Sequence, residues 1–418
     1  MRYLADLHVH SPFSLATSQA STLANLAAWG AVKGLSLIGT GDFTHPGWLK
    51  ELRKQLRPAE AGFFRLAESP PSPPLPGLTI AAAPPRFLLT SEISCVYQKE
   101  GRSRKVHCLV FAPDLAGVER FTQRLAPFGN LASDGRPTLR LDARDLLEIL
   151  LESIPAGILI PAHIWTPWFS LLGARSGFDR VEQCFGDLSD RIFALETGLS
   201  SDPAMNRRLS ALDRYTLISN SDCHAPSKLG REANIFETGF DYPSLAAALR
   251  RSNPGLAGTI EFFPEEGKYF ADGHRRCHFH RDQAISSVAA LPCPICDRPL
   301  TQGVAGRIAN LADRGAPPAS EQFPEAHHVV PLGELLAELA GRRENSKTVQ
   351  AQYIATLNEL GPELPLLLDK PLPEIALFSP PLARAIGLVR SGRVIREKGY
   401  DGQPGRILVL ATTAPPPP

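Results

Sequence analysis

Up to about residue 250 the chain alternates short apolar, β-rich runs with amphipathic stretches of helical period. That alternation predicts an α/β barrel or a doubly wound sheet. The predicted strands run Arg2 to Asp6, Leu35 to Thr40, Phe87 to Glu92, Val106 to Phe111, Gly157 to Ile160, Ile192 to Glu196 and Thr216 to Asn220. Ser21 to Lys33 and Ala143 to Ser153 are predicted helices between them. Ser69 to Pro85 is Pro-rich and reads as an inserted loop, because strand pattern resumes after it. The pattern changes after Pro254. Residues to about 315 are short and irregular with clustered Cys, His and Arg, as in a small module held by metal instead of a core. From Pro317 onward Leu332, Leu335, Leu336 and Leu339, then Tyr353, Leu357 and Leu360, recur at helical spacing. The expected division is 1–254, 255–315, 316–410, and a disordered Pro-rich tail at 411–418.

Composition narrows the class. Of 418 residues, 43% are hydrophobic and 21% charged, the balance of a globular protein. No apolar run approaches the roughly 20 residues that span a bilayer, so no membrane association is expected. The opening MRYLADLHVHSPFS lacks the basic and apolar regions of a secretory leader. Seven cysteines, three of them in one short cluster, fit metal or free-thiol use in a reducing compartment, and the cytoplasm is the expected location. A formal net charge of +1 does not by itself advertise nucleic acid.

The chemistry lies at the strand ends. His8 and His10 close the first strand, Asp42 and His45 follow the second, and Glu92 ends the third. His107 lies in the fourth, His163 ends the fifth, Glu196 the sixth, and Asp222 with His224 the seventh. In a parallel barrel such ends converge on one face. Mixed imidazole and carboxylate donors suit Zn, Mn or Fe better than Mg alone. Glu196 is ambiguous, because it could equally cap Gly198 or pair with a surface Arg. Clustered divalent metals suit phosphoester hydrolysis.

The H-x-H start, the acid and His after the second strand, the isolated Glu, two single His and the final D-x-H resemble the PHP superfamily. The resemblance implies a distorted (β/α)7 barrel with two or three divalent metals (Zn, Mn or Mg). By the same resemblance the ligands are His8, His10, Asp42, His45, Glu92, His107, His163, Asp222 and His224, with His8, His10, Asp222 and His224 as the catalytic core. Many members carry a further His or Asp just past H-x-H, where SPFSLATSQAS supplies only hydroxyls and one amide.

Cys277-x2-His280 and Cys293-x2-Cys296 form paired knuckles that predict one structural zinc, with His278 and His274 as alternative ligands. Glu325 to Leu332 superficially resembles the start of an HNH nuclease motif, but the later Asn and His are missing, so His327 and His328 read as polar residues at a domain entrance. GTGDFTHPGWL, RPLTQGVAGRIANLADR after the knuckles, VPLGELLAELAG and GYDGQPG are similar to the endonuclease Q family. That similarity covers the chain to about Leu410. It implies a PHP barrel followed by a zinc module and a helical module. It also implies cleavage of DNA 5′ to deaminated bases (uracil, hypoxanthine, xanthine) or abasic sites by metal-activated water. Arg275, Arg276, Arg393 and Arg396 are the expected DNA contacts. A sliding clamp is a further candidate partner that no sequence feature supports. Phe43, Trp165 and Trp168, next to candidate ligands, are expected to stack on an extruded base. The competing expectation is a PHP-type phosphatase acting on a small phosphomonoester.

Overall fold

The structure is a computed structural model, and it describes residues 1–68, 73–79, 83–250, 255–282, 291–318 and 323–410. The expected tail 411–418 and part of the Pro-rich loop lie outside the described residues. The first strands are β1 (Arg2–Asp6), β2 (Leu37–Gly39), β3 (Leu56–Pro58), β4 (Phe64–Leu66), β5 (Arg86–Lys99) and β6 (Arg102–Ala112). They are followed by β7 (Thr138–Leu139), β8 (Ile158–Pro161), β9 (Ala194–Glu196), β10 (Thr216–Ile218), β11 (Ala233–Glu237) and β12 (Leu256–Glu261). Each of the seven predicted strand regions is thus a strand. One path of the main sheet runs β12, β11, β1, β2, β5, β4, β3, with β6 on β5 and β8 on β6, while β9 and β10 form a separate parallel pair.

The barrel is distorted by a hairpin. β5 and β6 are antiparallel, with Lys99 paired to Arg102. The two linking residues, Glu100 and Gly101, both have positive φ (53° and 71°), as a two-residue turn between right-twisted strands demands. His107 therefore sits within β6, not at the end of a parallel strand. Helices α1 (Leu23–Lys33), α2 (Pro46–Gln55), α3 (Leu115–Leu125) and α4 (Ala143–Ser153) pack the barrel's outside with apolar faces such as Leu23, Leu26 and Ala27 of α1.

The main sheet extends past the expected boundary at 254. β12 pairs with β11, and a later strand, Glu325–His328, adds in parallel beside β12. His328 Nε2 lies 3.1 Å from Asp202 Oδ2 and its ring stacks on Phe263, so it is a strand residue docking on the barrel, not part of a nuclease motif. Beyond it lie helices Leu332–Ala340, Lys347–Leu360, Glu363–Leu368, Leu372–Phe378 and Pro380–Arg390. They surround a second core in which the periodic Leu332, Leu335, Leu336, Tyr353, Leu357 and Leu360 are buried. The C-terminal strands Ile395–Glu397 and Arg406–Leu408 pair, and the loop between them returns to the barrel mouth. There Gly405 N donates to Glu266 O and Gly399 N to Glu265 O. No helix among the described residues is long and apolar enough to cross a membrane.

Candidate metal centre and its cavity

His8 and His10 leave β1 on an extended chain, so their rings project to one side. Across the β5–β6 hairpin Ser94 opposes His107, which puts Glu92 and His107 on one face. His163 follows β8 and Asp222 follows β10. Asp42, His163 and Asp222 have φ of 51°, 30° and 47°. For a residue with a Cβ this left-handed backbone costs about 1–2 kcal/mol and persists where the surroundings dictate it. Here it lies at strand ends around the donor groups.

Glu92 is the centre of the site. Its Oε1 lies 2.7 Å from His107 Nδ1 and 3.0 Å from His163 Nε2. Its Oε2 lies 3.3 Å from the Nε2 of both His8 and His10. Asp222 Oδ1 is 2.9 Å from His10 Nε2 and 3.7 Å from His8 Nε2. Two donor groups result, His8, His10, Glu92 and Asp222 in one and Glu92, His107 and His163 in the other, each with its donor atoms within 4.8 Å of one another. Two features fit divalent cations. His8 Nε2 is buried with no hydrogen-bond partner. His107 Nδ1 and His163 Nε2 face each other at 3.2 Å beside one carboxylate oxygen.

Further carboxylates fix the rings. His8 Nδ1 meets Glu196 Oε1 at 3.0 Å, and Glu196 also accepts from His163 N and Asn220 Nδ2. His10 Nδ1 meets Asp42 Oδ1 at 3.1 Å. Both imidazoles thus turn Nε2 inward, the arrangement that orients metal-binding histidines. Burial alone would depress their pKa values, but Glu196 and Glu92 around His8, and Asp42 and Asp222 around His10, hold both well above the ordinary range. Burial likewise pushes Glu92 up, and His107, Arg136 and His8 outweigh it to hold its carboxyl well below the usual range. His107 goes the other way, down to about 4, because burial dominates.

Three of the expected ligands stand apart from these groups. Asp42 lies behind His10, its Oδ2 engaged by Ser11 N at 2.7 Å and Ser11 Oγ at 2.6 Å. His45 caps α2 by accepting from Gly47 N, and its Nε2 lies 3.2 Å from Ala132 O. His224 Nδ1 donates to Asp222 O at 2.9 Å, and its half-exposed ring stands 4.5 Å from that of His10. Position at a strand end does not distinguish a donor from the group that orients it. Arg136 was not foreseen. Its Nη1 lies 3.1 Å from Glu92 Oε2, yet it comes from an aperiodic Asp-Gly-Arg-Pro turn with no sequence signal. Of the three aromatics expected to stack, Phe43 and Trp165 are 0% and 1% exposed and too buried to meet a base, whereas Trp168 is 40% exposed.

The donors open into a cavity of about 590 Å3 lined by His107, His163, Trp168, Lys268, Tyr269 and Gly405 among others. The C-terminal loop therefore supplies part of its wall.

In the cysteine-rich donor group His274, not the expected His280, joins Cys277, Cys293 and Cys296, with Cys296 Sγ 3.3 Å from His274 Nδ1. The reason is strand alternation. His280 pairs with Gly273 and His274 with Phe279, so the two histidines face opposite sides of the hairpin. His280 stacks instead on Tyr400 at 4.9 Å. Arg275, Arg276, Arg393 and Arg396 are all exposed, although Arg396 also pairs with Glu265 at 3.1 Å.

Paired donor groups at one mouth of a distorted barrel, with cysteine–histidine and helical modules appended, define a PHP-type metallo-phosphoesterase fold. The structure resembles the crystal structure of the lesion-specific endonuclease PfuEndoQ from Pyrococcus furiosus (TM-score 0.84, 31% identity, 98% of this chain and 96% of that one). It is similarly close to endonuclease Q in complex with a 27-mer duplex substrate carrying an abasic lesion at the active site (TM-score 0.83, 30% identity, 99% of each chain). The chain belongs to the endonuclease Q family. The MJ0043 C-terminal domain family matches residues 331–393. The uncharacterized protein YqxK of Bacillus subtilis is 26% identical over 96% of this chain and 98% of its own length. The uncharacterized protein MJ0043 of Methanocaldococcus jannaschii is 26% identical over 59% of this chain, which spans 31% of that relative's length.

Proposed function

We propose that this chain is a metal-dependent endonuclease that cuts DNA at damaged nucleotides, hydrolysing the phosphodiester 5′ to deaminated bases or abasic sites. The observation that carries the reading is the pair of donor groups sharing Glu92 at the base of a cavity of about 590 Å3. Two or three cations (Zn, Mn or Mg) at these donors would supply Lewis acidity and an activated water. The chain's own groups do the rest. Glu196 and Asp42 hold the His8 and His10 rings in register. Arg136, on the cavity wall beside Glu92, offers a guanidinium to the phosphate oxygens. His224 lines the cavity with its Nδ1 donating to Asp222 O, and burial lowers its pKa, which favours a neutral ring able to take a proton from the attacking water. Trp168, exposed on the cavity wall, would stack on the damaged nucleotide. Arg275, Arg276 and Arg393 would track the DNA backbone outside the cavity, and the cysteine–histidine site would hold a structural zinc.

The walls favour a polymer over a small phosphomonoester, because Lys268, Tyr269 and Gly405 come from segments beyond the barrel core. The test is cleavage of uracil-, hypoxanthine- and abasic-containing duplexes beside undamaged duplex and a phosphomonoester. Metal-dependent nicking of the damaged duplexes, leaving 3′-OH and 5′-phosphate ends, is expected. Equal cutting of undamaged DNA would remove lesion specificity, and turnover of the monoester alone would favour a phosphatase.

A further inference from the structure

The segment between β1 and α1 has features that neither ligation nor core packing uses. Leu15 is 69% exposed and Phe13 41%, the two flanking Ser14, whose Oγ lies 3.2 Å from His10 Nδ1. An exposed leucine alone is unremarkable. This one is held firmly: Leu15 N donates to Asp134 Oδ1 at 3.1 Å, Gly135 N to Phe13 O at 2.9 Å, and Ser18 N to His224 O at 2.8 Å. Phe13 stacks on His45 at 4.4 Å, which fixes the base of the tip. The next residue, Ala16, has φ 61°, a strained backbone for a residue with a Cβ, and lines a recess with His224. Gly135 is indispensable to this brace, since a Cβ there would lie 2.4 Å from Asp42 Oδ2 and 2.5 Å from Ser14 Oγ. The same turn carries Arg136 to Glu92. A shallow recess bounded by Ala16, Ser18, His224, Lys228 and Arg231 adjoins the tip and supplies two cations at its edge.

We propose that Leu15, supported by Phe13, is the wedge that enters the base stack of duplex DNA and occupies the space vacated when the damaged nucleotide turns into the cavity. This rests on the functional reading above. A nucleotide leaving the stack forfeits stacking and pairing, and an apolar side chain inserted between base steps offsets part of that loss. Ser14, next to Leu15, touches His10 of one donor group, and Trp168 shares a cavity wall with His163 of the other, so the wedge would hold the helix open while Trp168 faces the extruded residue. A rigid tip suits the task, because a loop that had to be ordered during insertion would add its own entropic cost.

The test compares one uracil placed in a duplex opposite adenine with the same uracil in a single strand, using wild type, Leu15→Ala and Leu15→Phe in the full-length protein. Leu15 is exposed, so neither change touches the core. In single-turnover cleavage Leu15→Ala should raise the ratio of single-strand to duplex rates by about tenfold, as expected for loss of one wedge contact. Leu15→Phe should restore most of the wild-type ratio. A second readout needs no cleavage: 2-aminopurine beside the lesion brightens when unstacked, and with metal chelated its signal should fall in Leu15→Ala. An unchanged ratio with an unchanged signal overturns the wedge while leaving the endonuclease reading intact. An equal loss on both substrates also overturns it, since that marks a general binding role. A wild type that cuts no damaged DNA overturns the functional reading and the wedge together.

Discussion

Glu92 supplies a donor oxygen to both groups at the barrel mouth, Oε1 toward His107 and His163 and Oε2 toward His8 and His10. Glu92→Gln keeps the shape but removes the charge that offsets two cations, so both sites should lose metal at once. Elemental analysis of the purified variant would show it, and retention of the wild-type metal content would contradict the shared role. Asp222 belongs to one group only, so Asp222→Asn should keep the His107–His163 metal. It should leave lesion binding largely intact and slow single-turnover cleavage by about 100-fold or more, as when an interaction used mainly in the transition state is lost. Cleavage at the wild-type rate would refute its assignment. Six donors were legible in the sequence because each closes or lies in a strand that must point into the barrel. What sequence position could not supply was the layer. Asp42 and Glu196 orient rings whereas Glu92 and Asp222 face the metal space, a difference set by which way each short side chain leaves the backbone.

Among the elements, the predicted strands and the leucine-rich helices follow from apolar period alone. The β5–β6 hairpin does not, because a turn of Glu100 and Gly101 gives a weaker signal than Asn-Gly. The docking of α1 on the helical module was hidden as well, since Lys33 reads as an ordinary basic last-turn residue. Instead it is buried with its Nζ 2.6 Å from Glu363 Oε2, while Tyr353 Oη donates to the same carboxylate at 2.5 Å and Leu332 N to its other oxygen at 3.1 Å. Removing one partner of such a pair leaves a buried charge uncompensated and costs about 3–5 kcal/mol. Glu363→Gln should lower the urea midpoint accordingly, and an unchanged midpoint would show the contact to be energetically idle. The pH dependence has a definite sign. Burial pushes the Glu363 pKa up, but Lys33 and Tyr353 outweigh it and depress the folded-state value. Its stabilisation is thus complete above the ordinary carboxylate range and lost as pH falls through the folded value. The Gln variant should therefore show a flatter acid limb of stability against pH than the wild type.

At the scale of the whole molecule, the C-terminal loop joins the modules. Asp401 Oδ1 accepts from Thr301 Oγ1 at 2.7 Å and its Oδ2 from Arg275 N at 2.8 Å, both within the cysteine–histidine module. The same loop places Pro404 and Gly405 in the wall of the cavity at the donor groups. The module is thereby connected to the barrel cavity although its four donors belong to a separate group. If zinc bound by His274, Cys277, Cys293 and Cys296 holds the module's shape, its loss should loosen the cavity wall without emptying the barrel metals. His274→Ala should therefore reduce zinc content by one ion per chain, and damaged-duplex binding with it. His280→Ala removes a ring stacked on Tyr400 and should keep that zinc. Zinc analysis and a binding titration on the two variants separate the assignments. Loss of zinc in His280→Ala with retention in His274→Ala would restore the C-x2-H ligand that knuckle spacing favours. Loss of zinc without weaker binding would instead disconnect the module from the cavity.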